Sequence, residues 1–426
     1  MPTSLDLLTK RRFAPLFVTQ MLGAFNDNLF KFAMLVLVIY EIYDDEALEF
    51  QFSTVSTGLF ILPFFVLSAI AGQLADNFDK ARVIRFVKTL EILIALTGAA
   101  GLILQSIPLM LTALFALGAQ STFFGPIKYA ILPQHLKKEE VLAGTGLVEA
   151  GTYVAILAGT VLGGVIVDWF GAFWAAAWVL MVAVLGRISA HFVPDAPAQK
   201  EAEPIDYNIF RSSYRLVSAT LHIRRLFLAI IAISFFWTIG SVLIIQFPPL
   251  VKNVLTADPT VASMFLGIFS IGIAIGSVLA NRLLKGEVSA RIAPASVIVM
   301  GGFVLLLYLI SVRWEGLENG ELYDLVGFML LPGSWPLLGV LLGVAVAGGM
   351  FVVPLYAFIT TTVDISETAR TVAANNIVNS GCMVLGALAA LGLSLLGVTT
   401  TQQLFLVASM CLISAWTAWL LHKACD

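Results

Sequence analysis

Charge is what this chain has least of. Only 12% of its 426 residues are charged, about half the share of an ordinary soluble domain. With 59% apolar residues and a mean hydropathy of +0.94, a single water-excluding core is ruled out, and most of this surface must face lipid. Cysteine is almost as scarce. Cys382 and Cys411 lie in apolar runs and Cys425 in the tail, which excludes a disulfide framework and any cysteine metal spacing. The four histidines, His135, His191, His222 and His422, sit at the edges of apolar runs, so no histidine proton relay inside a membrane is expected. Catalytic signatures are missing too. An HxxxxD motif fails at Glu140 after His135 and at Ala196 after His191, and no GxxxxGK[ST] phosphate loop occurs. No cofactor or metal is expected, and the net charge of −3 gives no reason to expect nucleic acid.

What is present is a series of long apolar runs. Spanning a bilayer core takes about 20 helical residues. That length places helices near 13–42, 52–75, 82–105, 107–133, 141–167, 170–193, 225–251, 260–284, 291–312, 335–362, 367–395 and 401–422. The runs are too continuous for the alternating pattern of a membrane barrel. The expected fold is therefore an all-α membrane protein of about 12 transmembrane helices in two six-helix bundles. Lys10, Arg11 and Arg12 precede the first run much as in a signal peptide. That run is too long, contains Asn26, Asp27 and Asn28, and lacks a small-residue cleavage site, so it is read as a retained helix.

Cations gather on one side. With the N-terminus cytoplasmic, that side carries Arg11, Arg12, Lys80, Arg82, Arg85, Lys88, Lys137, Lys138, Arg211, Arg215, Arg224, Arg225, Arg282 and Lys423, among others. The opposite side carries Lys252 and Arg313, with acids such as Asp44, Asp45, Glu46 and Glu315. The positive-inside rule then puts both termini in the cytoplasm, as expected for a multi-pass protein of a bacterial inner membrane.

The longest polar stretch divides the chain into 1–193, a linker at 194–224, and 225–426. Within the linker Ile205, Ile209, Val217 and Leu221 share a helical stripe, which suits a surface helix or a plain connector. The halves echo each other. AGTGLVEAG at Ala143–Gly151 matches AANNIVNSG at Ala373–Gly381; Gly125-Pro126 answers Val353-Pro354, and GQLADN at Gly72 answers GSVLAN at Gly276. Repeats with a site at the midplane are a common plan of secondary transporters.

The candidate site begins in GAFNDNLFK, at the middle of the first helix. Burying Asp27 there costs at least ~2.5–3.5 kcal/mol, so it should face a wet cavity or a partner. Lys31, one turn on, is one such partner; Asn26 and Asn28 add polarity. A self-neutralised structural pair is the alternative. Lys128 and Tyr129 close the fourth helix, and Glu149 in the fifth is expected at a similar depth, either pairing with Lys128 or sharing a substrate site. Snorkelling of Lys128 to the headgroups competes with that reading. Asn375, Asn376 and Asn379 occupy the equivalent region of the second half, where hydrogen bonding between helices is the plainer role. Glu91 is expected to pair with Lys88 at helical spacing, and Arg187 and His191 to snorkel. Gly159 and Gly163, like Gly339 and Gly343, are expected to be helix packing notches.

Between the second and third helices, GQLADNFDKARV offers Gly72, Asp76, Asp79, Lys80 and Arg82. An acid at a helix end held by loop cations would act as a clasp that opens with the cytoplasmic side. Here the chain resembles the major facilitator superfamily, whose loop has the form GxLaDrxGrk; Asp79 stands where a glycine is usual. GAFNDNLFK, FFGPIKYAILP and GLVEAGTYVAILAGTVLGG together are similar to the bacterial lysophospholipid transporter family, along essentially the whole chain. The likeness is greatest to the membrane half of forms fused to an acyltransferase and an acyl-carrier ligase. That resemblance implies flipping of lysophospholipids, chiefly lysophosphatidylethanolamine, from the outer to the cytoplasmic leaflet, where a separate acyltransferase completes them. It makes Asp27 and Asn28 the midplane polar site and Lys128 and Glu149 the charges around it, in a monomer. A cation facing Asp27 from the seventh helix is not found between Arg225 and Lys252. The competing readings are a proton-coupled efflux carrier for amphiphilic molecules, using Asp27 or Glu149, and a non-catalytic membrane module of an acyltransferase system.

Overall fold

The computed structural model describes residues 4–198, 204–284, 289–317, 321–361 and 365–425. Twelve long helices run through them: α1 (Ala14–Leu37), α2 (Glu46–Asn77), α3 (Lys80–Ile103), α4 (Ile107–Ala130), α5 (Lys138–Phe170) and α6 (Ala172–His191). They continue as α7 (Arg224–Pro249), α8 (Pro259–Leu283), α9 (Ala293–Val312), α10 (Ser334–Thr361), α11 (Ile365–Leu395) and α12 (Thr400–Cys425). Eleven meet the length and apolarity needed to cross a membrane, and α5 contributes the shorter apolar stretch Val154–Phe170. Lipid offers the backbone no hydrogen bonds, so each apolar run satisfies itself as a helix. Two helices end irregularly: π-helical turns follow α1 at Val38–Ile42 and α7 at Leu250–Val254. Among the described residues the extended pairing is a single bridge from Ala257 to Tyr323.

Contacts divide the chain into two compact units, Met1–Val38 with Leu62–Ser213, and Ile39–Ile61 with Tyr214–Asp426. One division thus falls inside α2, beside Pro63, where the ring removes a backbone hydrogen bond. In the first unit α1 lies against α5. A Cβ on Gly159 would come within 2.3 Å of the Phe25 carbonyl oxygen, and one on Gly163 within 2.6 Å of Leu29 O. These are packing notches, as expected. In the second unit Gly276 does the same against Val346 O, at 2.0 Å. Gly343 is filled by the Phe303 ring, whereas nothing approaches Gly339, so that glycine is not a notch among the described residues.

Polar groups fix the turns. Asp79 caps α3 by accepting the Arg82 N–H at 2.9 Å from an extended backbone, φ −60°. No left-handed conformation is needed there, which accounts for an aspartate where the loop signature carries glycine. Glu140, in the first turn of α5, accepts from the Lys137 N–H at 2.9 Å and from Arg12 at 2.7 Å. The Lys137 amide, then the Arg12 guanidinium, hold its carboxyl below the ordinary carboxylate range. The linker forms a helix at Ile209–Leu221. It starts after Ile205 and Tyr207, and it leaves Phe210 and Tyr214 exposed alongside Arg211 and Arg215.

Candidate functional site

The first unit holds a cluster of buried polar side chains from α1, α3 and α4. Asp27 is 6% exposed and accepts a short hydrogen bond from Ser121 Oγ. Its Oδ1 is buried with no hydrogen-bond partner, and so is Asn26 Oδ1. Ser121 Oγ also lies 3.1 Å from Gln120 Oε1, and Gln120 Nε2 donates to Glu91 Oε2 at 3.0 Å. Glu91 further accepts from Lys88 Nζ at 2.5 Å and from Asn26 Nδ2 at 3.4 Å. The cluster therefore runs without a break from Glu91 to Asp27.

Room for it is built into the sequence. A Cβ on Gly23 would stand 2.5 Å from Lys88 Nζ, so only glycine leaves the ammonium its place. The Phe124 ring lies 5.4 Å from that ammonium, at cation–π range. Lys88 is thus no headgroup-facing cation, as its place in the charge count suggested. It sits more than two turns into α3 and is neutralised there. The i, i+3 spacing to Glu91 signalled the pair, but not that Asn26 and Gln120 would join it.

The other expected site residues take different places. Lys31 is half-buried one turn beyond Asp27 on α1. Asn28 turns its amide back to the Ala24 carbonyl at 2.8 Å, so one donor is already used within α1. Lys128 is half-buried in the last turn of α4. The side chains of Tyr129, Glu149 and Asp76 lie outside the described residues, and with them the expected Lys128–Glu149 pair and the acid of the loop clasp. Of the remaining loop residues, Lys80 is buried, Arg82 is exposed, and nothing approaches Gly72. Gly72 is therefore not a point of close helix approach among the described residues.

In the second unit Asn379 accepts from Ser234 Oγ on α7 at 2.7 Å, a hydrogen bond between helices. Asn375 is fully buried with both amide atoms unpartnered, and Asn376 is exposed. Gln246 on α7, not singled out from the sequence, is likewise buried with neither amide atom bonded. The outward cation of the sequence, Lys252, is engaged too. It donates to Glu49 at 2.7 Å and to the carbonyls of Ile39 and Tyr43 at 2.6 and 2.9 Å. Asn253 adds a second bond to Glu49 at 2.6 Å. The irregular turn after α1 makes this possible, since it leaves the Ile39 and Tyr43 carbonyls to the lysine.

No metal-binding cluster occurs among the described residues. Asp27 Oδ1 is thus a buried carboxylate oxygen left open in an apolar bundle, among the described residues. The family model of the Major Facilitator Superfamily matches residues 16–319. The chain is 27% identical over 349 residues to the lysophospholipid transporter LplT of Enterobacter sp. (strain 638), covering 80% of this chain and 78% of that one. The protein of the same name from Escherichia coli (strain K12 / DH10B) is 28% identical over 350 residues, with the same coverage. Among solved structures, an auto-inhibited peptide transporter of the POT family superposes with a TM-score of 0.71 at 11% identity, covering 97% of each chain. A bacterial homologue of the iron transporter ferroportin, inward-facing, gives 0.68 at 14% identity, covering 97% of this chain and 98% of that one. These two likenesses concern the fold. With its apolar helices and its family match in accord, this chain is a multi-pass membrane transporter belonging to the Major Facilitator Superfamily.

Proposed function

We propose that the chain carries lysophospholipids, chiefly lysophosphatidylethanolamine, from the outer to the cytoplasmic leaflet of a bacterial inner membrane by alternating access. The observation that carries the reading is the open Oδ1 of buried Asp27, in a chain similar to lysophospholipid transporters over four-fifths of its length. An ethanolamine ammonium is a fitting donor for that oxygen, because an ionised acceptor strengthens the hydrogen bond. Lys31 and Lys128, half-buried in the same unit as Asp27, are the cations for the phosphate. The single acyl chain needs only apolar walls. Both termini are cytoplasmic in this reading. The product would be consumed by acyl transfer in the inner leaflet, by a separate acyltransferase working from the shared lipid pool.

Purified protein in liposomes, given labelled lysophospholipids in the outer leaflet, tests the reading. Faster movement of lysophosphatidylethanolamine than in protein-free liposomes supports it. Export of amphiphilic cations without lysolipid movement would instead make the chain an efflux carrier.

A further inference from the structure

A second cluster of charged side chains stands in the second unit, where α7 begins and α12 ends. Arg224 and Arg225 occupy the first turn of α7, and Lys423 the last turn of α12. With Leu420 and Ala424 they line one surface cavity of about 410 Å³. All three cations are exposed, and none takes part in the five ion pairs among the described residues. Asp426, the nearest acid in sequence, lies outside those residues.

The helix ends add to the field. Ile223 precedes α7 without a capping side chain, and the first amide bonded back along the helix is that of Phe227. The earlier N–H groups are thus left for an anion. The carbonyl end of α12 carries the opposite partial charge, which Lys423 in its last turn offsets. Lys423 Nζ lies 3.9 Å from the centre of the Trp419 ring, at cation–π range.

The cavity borders an apolar surface. Phe227 on α7 and Trp416 and Trp419 on α12 are 40%, 61% and 43% exposed. Tryptophans at that level mark a membrane–water interface. A free anion has no use for such a wall; a lipid has. We infer that Arg224, Arg225 and Lys423 form a resident site for the phosphate of an anionic phospholipid, whose acyl chains run along Phe227, Trp416 and Trp419. Basic pockets between transmembrane helices are suited to such headgroups.

The test uses the full chain purified in detergent, with thermal unfolding and native mass spectrometry as readouts. The probes are phosphatidylglycerol, phosphatidylcholine and inorganic phosphate. Phosphatidylglycerol should raise the unfolding temperature saturably and remain bound at one copy. Each removed cation weakens a surface headgroup contact roughly 5-fold. The triple variant R224Q/R225Q/K423Q should therefore lose on the order of 100-fold in apparent affinity. Lys423→Gln alone should show the smaller step, should the triple variant fail to fold. A control removing Arg11, Lys137 and Arg282 keeps the affinity. Equal loss in that control would mean diffuse charge attraction and no site. Equal stabilisation by phosphatidylcholine, or by inorganic phosphate at the same concentration, would remove the anionic lipid as its occupant.

Discussion

Lys88 and Glu91 stand three residues apart on α3 with Nζ and Oε2 2.5 Å from each other, and their side chains are 1% and 0% exposed. A pair so deeply buried is costly to half-break, because the surviving charge keeps its desolvation penalty without its partner. Glu91→Gln should therefore cost ~3–5 kcal/mol of stability, and Lys88→Met a similar amount. The double variant removes both charges, while the introduced glutamine can still accept from Gln120 and Asn26. It should unfold at a higher temperature than either single variant. Losses that simply add would show that charge balance is not what ties α3 to α1 and α4.

Glycine positions separate close packing from mere small size. Gly159→Ala drives a Cβ to 2.3 Å from a backbone oxygen of α1, which cannot rotate away. A loss of ~1–3 kcal/mol is expected, as for other overpacked cores. Gly72→Ala meets nothing and should leave thermal stability unchanged or slightly raised. Parallel melting curves in one detergent check the contrast.

Lys252 offers three hydrogen bonds at once, two to backbone carbonyls and one to buried Glu49. Lys252→Met strands the carboxylate and should destabilise the protein by ~3–5 kcal/mol. Glu49→Gln should cost less, because the carbonyls still hold the ammonium. Thermal unfolding of the two variants gives the order directly. Equal losses would mean that the carbonyl contacts contribute nothing.

Acid should weaken the protein in two steps. Burial lowers the His135 pKa below its ordinary 6.5. Between that value and the folded one the unfolded chain binds more protons, so stability is full above pH 6.5 and is lost as pH falls through the depressed value. Glu140, held below its ordinary 4.5, adds stability that is present above pH 4.5 and lost through its own lowered value. His135→Asn should flatten the first step and Glu140→Gln the second, in unfolding temperatures measured from pH 8 to about 2.

The twelve helices were legible because lipid leaves a long apolar run one economical conformation. Their ends were less so. The π-helical turns after Leu37 and Pro249 carry no composition of their own, and they decide where Lys252 can reach. Lys252 read as an outer-loop cation because its acceptors, Glu49 and two carbonyls, lie some 200 residues away in sequence. In the site, Asp27 stood out as an acid at the middle of an apolar run. Lys88 and Glu91 did not, because opposite charges at i, i+3 look the same on a solvated surface as in a buried cluster. Gln120 and Gln246, uncharged amides in apolar helices, gave no periodic signal at all. Gln120 joins the cluster through its bond to Glu91.

The central claim is that the Asp27 carboxylate receives the lysolipid headgroup. Its most direct test is leaflet-resolved flux of lysophosphatidylethanolamine in proteoliposomes holding Asp27→Asn. This variant keeps the shape and the Ser121 contact but loses the charge. The account predicts a fall of at least 10-fold in flux at unchanged thermal stability, about 1.4 kcal/mol or more of lost recognition. Normal flux in a folded Asp27→Asn protein would contradict it.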